Sequence, residues 1–263
     1  MGRYWRVWRA FAKSCLEREA QFRASLAAGL LRSVVWLALG LINIEILFSY
    51  TDAIAGWSRG QMWLLLGIAR LGESALSFAF RGNMERISSY ITYGDMDFIL
   101  LKPISSQFAA TLRYIDIYQA PQMLINLGLI GYAFRLMGRW PSAGGLATFA
   151  VMFPCGIAML YALWTAVSTC TFWLVRQAPN IVEILDSLYG AARYPTRVFP
   201  EFLQFILTFL VPLAFVTVLP AQALALGINP LYPLGSLAFA AASLYLSHRF
   251  WTFATRYYTS ASS

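Results

Sequence analysis

Long apolar segments separated by short polar ones dominate the sequence. Each apolar segment has about the twenty residues that an α-helix needs to cross the hydrocarbon core of a bilayer. The sequence therefore predicts an all-α, polytopic membrane protein that forms one transmembrane domain over residues 1–263. The six predicted transmembrane spans are residues 25–48, 61–80, 108–134, 146–175, 202–219 and 231–253.

The residues before the first span have a different pattern. Within residues 1–22, Trp5 and Trp8 can share one face of a helix while Arg6 and Arg9 supply another. Tryptophan opposite basic charge is typical of an amphipathic helix that lies in the membrane interface and contacts lipid. A basic anchor that fixes the orientation of the chain is a second interpretation, and the two are compatible.

Two hydrated segments, residues 82–106 and 176–198, separate spans and are predicted to be loops that each contain a short helix. In the first, Gly94 and Pro103 bracket two acids, one base and an apolar run. This pattern predicts a short helix with one apolar and one charged face. A docking element for a water-soluble partner and a loop lying on lipid headgroups both fit it. In the second segment, the spacing predicts an amphipathic helix that ends near Gly190.

Charge composition adds the orientation. Charged residues make up 12% of the chain against 59% hydrophobic residues, and the net charge is +8. Fourteen of the 20 lysines and arginines fall on the side of the two termini, three fall on the opposite side, and three lie inside spans. The excess of basic residues on the cytoplasmic side of membrane proteins predicts that both termini and both hydrated segments are cytoplasmic. We therefore interpret the charge as an orientation signal and expect no nucleic-acid partner.

Charged residues inside the spans are the other unusual feature. Arg70 and Glu73 lie near the middle of the second span, where each charge costs about 2.5–3.5 kcal/mol. Their i, i+3 spacing allows them to neutralise each other. The pair is either the polar lining of a transport route or an internal ion pair that fixes packing. Arg113 and Asp116 lie closer to the cytosolic boundary, where the structural interpretation is favoured.

Sequence signatures of catalysis are absent. The chain has no G-x-x-x-x-G-K-[ST] nucleotide loop, no H-E-x-x-H and no G-x-S-x-G. His248 is the single histidine, and the three cysteines form no Cys/His cluster. We therefore expect no enzyme active site, no metal site and no cofactor in this chain.

Two motifs resemble a known family. Gly94-x-Met96-Asp97-x-x-Leu100-x-Lys102-Pro103 is similar to the G-x-L-D-x-x-L-x-(R/K)-P signature that follows the second span of ABC-2 type permeases, with Met96 where leucine is commoner. The second motif is Tyr194-Pro195-x-x-Val198-Phe199-Pro200, followed by Leu210-Val211-Pro212-x-Ala214-Phe215-x-Thr217-x-x-Pro220-Ala221. It resembles the pattern around the fifth span of the ABC-2 family transporter proteins, and the resemblance covers nearly the whole chain.

The resemblance implies a permease subunit of an ATP-driven ABC transporter, usually an exporter in the bacterial inner membrane. It implies two permease subunits, identical or related, and two copies of a separate cytosolic ATPase that binds ATP and Mg. The short cytosolic helices would be coupling helices, and the ATPase-coupling residues would be Gly94, Asp97, Ile99, Leu100, Leu101, Lys102 and Pro103. Ile99, Leu100 and Leu101 would act as apolar plugs. Asp97 and Lys102 would act as polar positioners.

Two other classes stay open. Proline-interrupted spans are compatible with a self-sufficient secondary transporter or channel, and a hydrated docking block is compatible with a membrane scaffold that recruits a cytosolic protein without transport.

Overall fold

The computed structural model describes residues 2–19, 23–174, 187–227, 229 and 231–258. The described residues are 82% helical and form no β-strand. The predicted all-α fold is therefore confirmed. The α-helices that the structure describes are α1 (Gly2–Glu19), α2 (Arg23–Phe48), α3 (Arg59–Leu76), α4 (Gly82–Thr92), α5 (Asp95–Leu100), α6 (Ser106–Thr111), α7 (Gln119–Met137), α8 (Ala143–Thr169), α9 (Glu201–Phe205), α10 (Leu213–Val216), α11 (Val218–Ala225) and α12 (Leu231–Ala254).

Three helical stretches in the described part of the chain are long and apolar enough to cross a membrane: Ala27–Phe48, Arg59–Thr92 and Ala143–Phe172. A fourth crossing results if Glu201–Leu210 and Leu213–Ala225, which meet at 66°, count as one broken span. The chain is thus built as a membrane protein, whereas the predicted six spans are not confirmed. α7 and α12 nevertheless form where the third and sixth spans are predicted.

The second span is longer than predicted. α3 continues through a π-helical turn, Ser77–Arg81, into α4, so that 34 residues from Arg59 to Thr92 form one helical stretch. At 1.5 Å per residue this stretch is about 50 Å long. Its last turns occupy the first part of the predicted loop 82–106. They stay helical because Met84, Ile87 and Ile91 recur at helical spacing and are buried.

The third predicted span does not form as expected, because residues 108–134 do not form one helix. α6 ends at Thr111, and α7 begins at Gln119. The side chain of Asn83 donates to the carbonyl oxygen of Tyr114 at 2.7 Å and accepts from its backbone N–H at 2.8 Å. These tertiary hydrogen bonds satisfy backbone groups that a continuous helix would otherwise pair internally.

The fifth span bends at Pro212. Predicted as residues 202–219, it consists of α9 with the π-helical turn Ile206–Leu210, followed after the bend by α10 and α11. Gly156 of α8 allows α10 to approach closely, since a Cβ there would lie 2.5 Å from the carbonyl oxygen of Phe215. α11 extends to Ala225, beyond the predicted end of the span at residue 219.

Part of the second predicted loop, 176–198, packs inside the helical layer. The hydroxyl of Tyr189 donates to the carbonyl oxygen of Ala69 at 2.9 Å, and the hydroxyl of Tyr194 bonds Asn43 Oδ1 at 3.0 Å. Ala69 lies ten residues into α3, so this segment contacts α3 near its middle, and it contacts α2 at Asn43. The sequence predicted a hydrated loop here, whereas Tyr189 and Tyr194 position the segment through their hydrogen bonds. The predicted helix up to residue 186 lies outside the described residues.

Candidate functional site

Residues Gly94 to Pro103 fold into a short helix between two turns. Gly94 has a φ of +79°, a left-handed conformation that costs glycine little, and it separates α4 from α5. α5 is six residues long. At its far end, the backbone N–H of Ile104 donates to the carbonyl oxygen of Lys102 at 2.8 Å and closes the turn at Pro103. The predicted short helix therefore exists.

One face of α5 is buried in the protein. Met96 is 0% exposed and Ile99 is 2% exposed, and both belong to the core cluster that α4 and α6 share. The side chain of Ile99 therefore packs within its own chain, and its predicted role as an apolar plug for a partner stays a prediction. Met96 occupies the motif position where leucine is commoner, and its buried side chain anchors α5 in the same core cluster as Ile99.

The opposite face of α5 is apolar and exposed. Leu101 is 81% exposed, Phe98 is 69% exposed, and Tyr93, just before the helix, is 78% exposed. Leu100 is partly covered at 37% exposure. Sequence reasoning missed Phe98 and Tyr93. The signal was present in the i, i+3 spacing of Phe98 and Leu101, which is out of phase with the buried Met96 and Ile99. We call Tyr93, Phe98 and Leu101 the exposed apolar face.

Asp97 and Lys102 are the two residues predicted to be polar positioners in this block. The backbone N–H of Asp97 donates to the carbonyl oxygen of Gly94 at 3.1 Å. Burial raises the pKa of the Tyr258 hydroxyl above its ordinary value, and the neighbouring Asp97 carboxylate adds to the rise. The Asp97 carboxylate therefore lies near Tyr258, which follows α12. Lys102 is half-buried, and the role predicted for both residues at a partner surface stays a prediction.

The N-terminal helix lies beside this block. The backbone N–H of Ser105 donates to the hydroxyl of Tyr4 at 3.3 Å, and the Tyr4 and Phe108 rings meet edge to face at 5.1 Å. The thiol of Cys15 is buried and accepts from the backbone N–H of Ile115 at 3.5 Å. α1 therefore packs along α6 and the irregular segment that follows it.

A polar cavity of about 560 Å³ lies between α2, the α3–α4 stretch and the beginning of α7. It brings together three of the four predicted intramembrane polar residues. Arg113 is not among its lining residues and lies instead with its guanidinium 5.4 Å from the Tyr114 ring centroid. The lining residues are Arg32, Ser33, Trp36, Arg70, Glu73, Ser74, Ser77, Arg81, Gly82, Glu85, Asp116, Gln119 and Gln122. We call this the polar cavity.

Arg70 and Glu73 form the predicted ion pair, with Arg70 Nη1 2.9 Å from Glu73 Oε2. Arg70 Nη2 also donates to the carbonyl oxygen of Trp36 at 3.0 Å, which joins α3 to α2. Arg193 is the partner that sequence reasoning missed, with its Nη2 3.9 Å from Glu73 Oε2. The pair therefore fixes packing and lines the polar cavity at the same time, so the two interpretations of the sequence are not exclusive.

The α3–α4 wall of the polar cavity is a stripe of polar residues at helical spacing. Its residues are Arg70, Glu73, Ser74, Ser77, Arg81 and Glu85. Sequence reasoning missed the stripe because it ended the helix at residue 80, which separated Arg81 and Glu85 from the other four. Continued helical spacing through Arg81 was the signal that could have shown it.

Among the residues that the structure describes, no group of three or more histidine, cysteine, aspartate or glutamate side chains could hold a metal ion. No curated protein matches the chain. The family model of the ABC-2 family transporter proteins matches residues 34–262, which include the α3–α4 stretch, the α5 block and the bent α9–α11 region. The chain therefore belongs to the ABC-2 family of transporter proteins, membrane transport permeases.

Proposed function

We propose that this chain is the permease subunit of an ATP-driven exporter and that the exposed apolar face of α5 docks a separate cytosolic ATPase. The observation that carries the proposal is the division of α5 into two faces. Met96 and Ile99 fix the helix to the core, while Phe98 and Leu101 remain exposed on the other side. A short helix held rigidly by its own core can transmit a displacement of the ATPase to α4 and α6.

The charge of the block favours protein over lipid as its partner. Asp95 and Asp97 lie in the first turn of α5. The cytoplasmic leaflet is negatively charged and attracts basic segments, whereas it repels acidic ones. An apolar surface flanked by acids therefore suits a basic groove on a protein better than it suits the headgroups.

The family and the charge distribution support a proposal for the assembly. We propose a complex of two permease subunits, identical or related, with two ATPase subunits that bind ATP and Mg. The excess of basic residues on the side of the termini supports a cytoplasmic position for the termini and α5, in a bacterial inner membrane.

The experiment compares substitutions on the exposed apolar face with one elsewhere. Leu101→Asp or Phe98→Asp is introduced into the tagged chain, and the complex is purified in detergent. Leu226→Asp is the matched control, since Leu226 is also exposed, at 62%, and follows α11. The measurements are the stoichiometry of a co-purifying polypeptide with a G-x-x-x-x-G-K-[ST] motif and the ATP-dependent transport of the complex.

Truncated apolar anchors at interfaces commonly cost about 2 kcal/mol or more, which is roughly a thirtyfold loss of affinity. We expect that loss for Leu101→Asp and Phe98→Asp but not for Leu226→Asp. Normal ATPase association and coupling in both α5 variants would exclude the docking role. Association of an ATPase without transport would favour the scaffold, and transport without any ATPase would favour the secondary transporter.

A further inference from the structure

The polar cavity carries charges of both signs in equal number. Arg70 is paired with Glu73, and Arg81 Nε lies 3.1 Å from Glu85 Oε1. Opposite them, the carboxylate of Asp116 accepts hydrogen bonds from Gln119 Nε2 at 2.9 Å and from the backbone N–H of Tyr118 at 3.2 Å. A multiply charged anion would meet three carboxylates in this space, and a cation would meet three arginines.

Among the three arginines that line the polar cavity, Arg32 is the one without an ion pair in the described part of the chain. It lies on α2, its residue is exposed, and it makes no hydrogen bond or ion pair with the described residues of the chain. A guanidinium presents five N–H donors in a planar fork that matches the oxygens of a phosphate or carboxylate. One negative group on a ligand can therefore bind Arg32 without displacing either of the two ion pairs.

Two further wall residues have unused hydrogen-bonding capacity. Arg70 and Gln122 are each 8% exposed, and Arg70 Nε and Gln122 Oε1 are buried without a hydrogen-bond partner in the described chain. Arg70 Nε is a hydrogen-bond donor, and Gln122 Oε1 is an acceptor. A hydroxyl group can both donate and accept, so hydroxyl groups on a ligand suit this wall better than ammonium or methyl groups.

The position of the polar cavity indicates the rest of the ligand. Its volume of about 560 Å³ is far larger than one ion requires and falls in the range of small-molecule sites. Beside Arg32 on α2, Leu31, Val34 and Val35 are exposed apolar side chains. In a membrane helix such side chains face acyl chains, so an apolar tail can lie along α2 while a polar head occupies the polar cavity.

We propose that the polar cavity binds the headgroup of a singly anionic, hydroxyl-bearing amphiphile of the phosphoglycerol class. Arg32 binds the phosphodiester oxygens, and the carboxamide of Gln122 and the carboxylate of Asp116 accept from headgroup hydroxyls. This proposal concerns binding by the permease chain alone, so it stands or fails separately from the docking of an ATPase.

The test measures lipid binding to the purified chain in non-ionic detergent by native mass spectrometry. Phosphatidylglycerol and phosphatidylcholine with identical acyl chains are titrated separately, and the ratio of their dissociation constants is determined. Arg32→Gln removes the free cation. Arg249→Gln is the matched control, because Arg249 is an exposed arginine on α12 that does not line the polar cavity. Thermal unfolding of each variant verifies that it is folded.

We expect phosphatidylglycerol to bind about tenfold more tightly than phosphatidylcholine in the parent chain and in Arg249→Gln, because only its headgroup carries hydroxyls that Gln122 and Asp116 can accept from. In Arg32→Gln we expect the dissociation constant of phosphatidylglycerol to rise about tenfold, because its phosphodiester loses the guanidinium. A ratio near one in the parent chain, or an equal effect of the two substitutions, overturns the proposal. Glycerophosphoglycerol, the water-soluble headgroup, is added as a competitor. Arg32-dependent displacement identifies a soluble ligand of the same chemistry, and its absence identifies the membrane lipid.

Discussion

Arg193 Nη2 lies 3.9 Å from Glu73 Oε2, the same oxygen that is 2.9 Å from Arg70 Nη1. One carboxylate on α3 therefore faces two guanidinium groups, one from its own helix and one from the segment of residues 187–199. The two arginines depend on the single acid, whereas the acid retains a partner when either arginine is lost. Substitution of Glu73 should therefore affect the stability of the chain differently from substitution of Arg70.

We expect Glu73→Gln to destabilise the chain more than Arg70→Gln does. Glu73→Gln leaves the nearly buried Arg70 and the half-buried Arg193 without an opposite charge. Because Glu73 is partly exposed, the cost should be on the order of 2 kcal/mol, between that of an exposed and that of a buried pair. The measurement is thermal unfolding of the purified chain.

The double variant Arg70→Gln/Glu73→Gln should recover part of the stability that Glu73→Gln loses, since it removes one of the two uncompensated cations. A double variant less stable than Glu73→Gln would show that the residues act independently and that the ion pair does not fix the packing.

The close approach of α8 and α10 gives a second prediction. A Cβ at Gly156 would lie 2.5 Å from the carbonyl oxygen of Phe215 and 2.7 Å from the backbone nitrogen of Val216. Backbone cannot move aside as a flexible side chain can, so Gly156→Ala should shift α10 and lower the unfolding temperature of the chain. Overpacking of this kind commonly costs about 1–3 kcal/mol.

Gly128→Ala is the matched control for Gly156→Ala. Gly128 lies on α7, and a Cβ there meets no atom within 4 Å. Alanine also has the higher helix propensity, by about 1 kcal/mol. The control should therefore unfold at the same or a higher temperature. Equal unfolding temperatures for the two variants would mean that α10 does not pack on α8 as described.

The two faces of α5 should respond differently to truncation. Ile99 is 2% exposed, so Ile99→Ala should destabilise the chain by about 2–5 kcal/mol. Leu101→Ala removes an 81% exposed side chain and should leave the unfolding temperature unchanged. Thermal unfolding without any partner present separates the two. A marked loss of stability in Leu101→Ala would show that its side chain belongs to the core.

Orientation is testable with cysteines introduced into a chain whose three native cysteines are replaced by alanine. Asp52 lies in the connection between α2 and α3, and Ser89 lies on α4; both are exposed. We expect a membrane-impermeant thiol reagent added to intact cells to label Asp52→Cys but not Ser89→Cys, because basic residues concentrate on the side of Ser89. Labelling of Ser89→Cys but not of Asp52→Cys would show that the chain has the opposite orientation to the predicted one.

The sequence by itself determined the fold class, the family and the short α5 helix. Each depends on local information. About twenty consecutive apolar residues form a helix in a bilayer wherever they occur, and the left-handed turn at Gly94 and the closing turn at Pro103 bound α5 without help from distant residues. The i, i+3 spacing of Arg70 and Glu73 likewise brought the two together in any helix that contained both.

Only the tertiary structure decided which apolar residues of α5 are exposed and can contact a partner. Ile99 and Phe98 are neighbours of similar hydrophobicity, yet Ile99 packs in the core and Phe98 is exposed, because α4 and α6 cover only one side of α5. Distant partners also interrupted a predicted span and positioned a predicted loop. Asn83 holds Tyr114 in the break of the third span, and Tyr189 bonds Ala69 within the helical layer. Local periodicity carries no record of such contacts, since they join residues 31 and 120 positions apart.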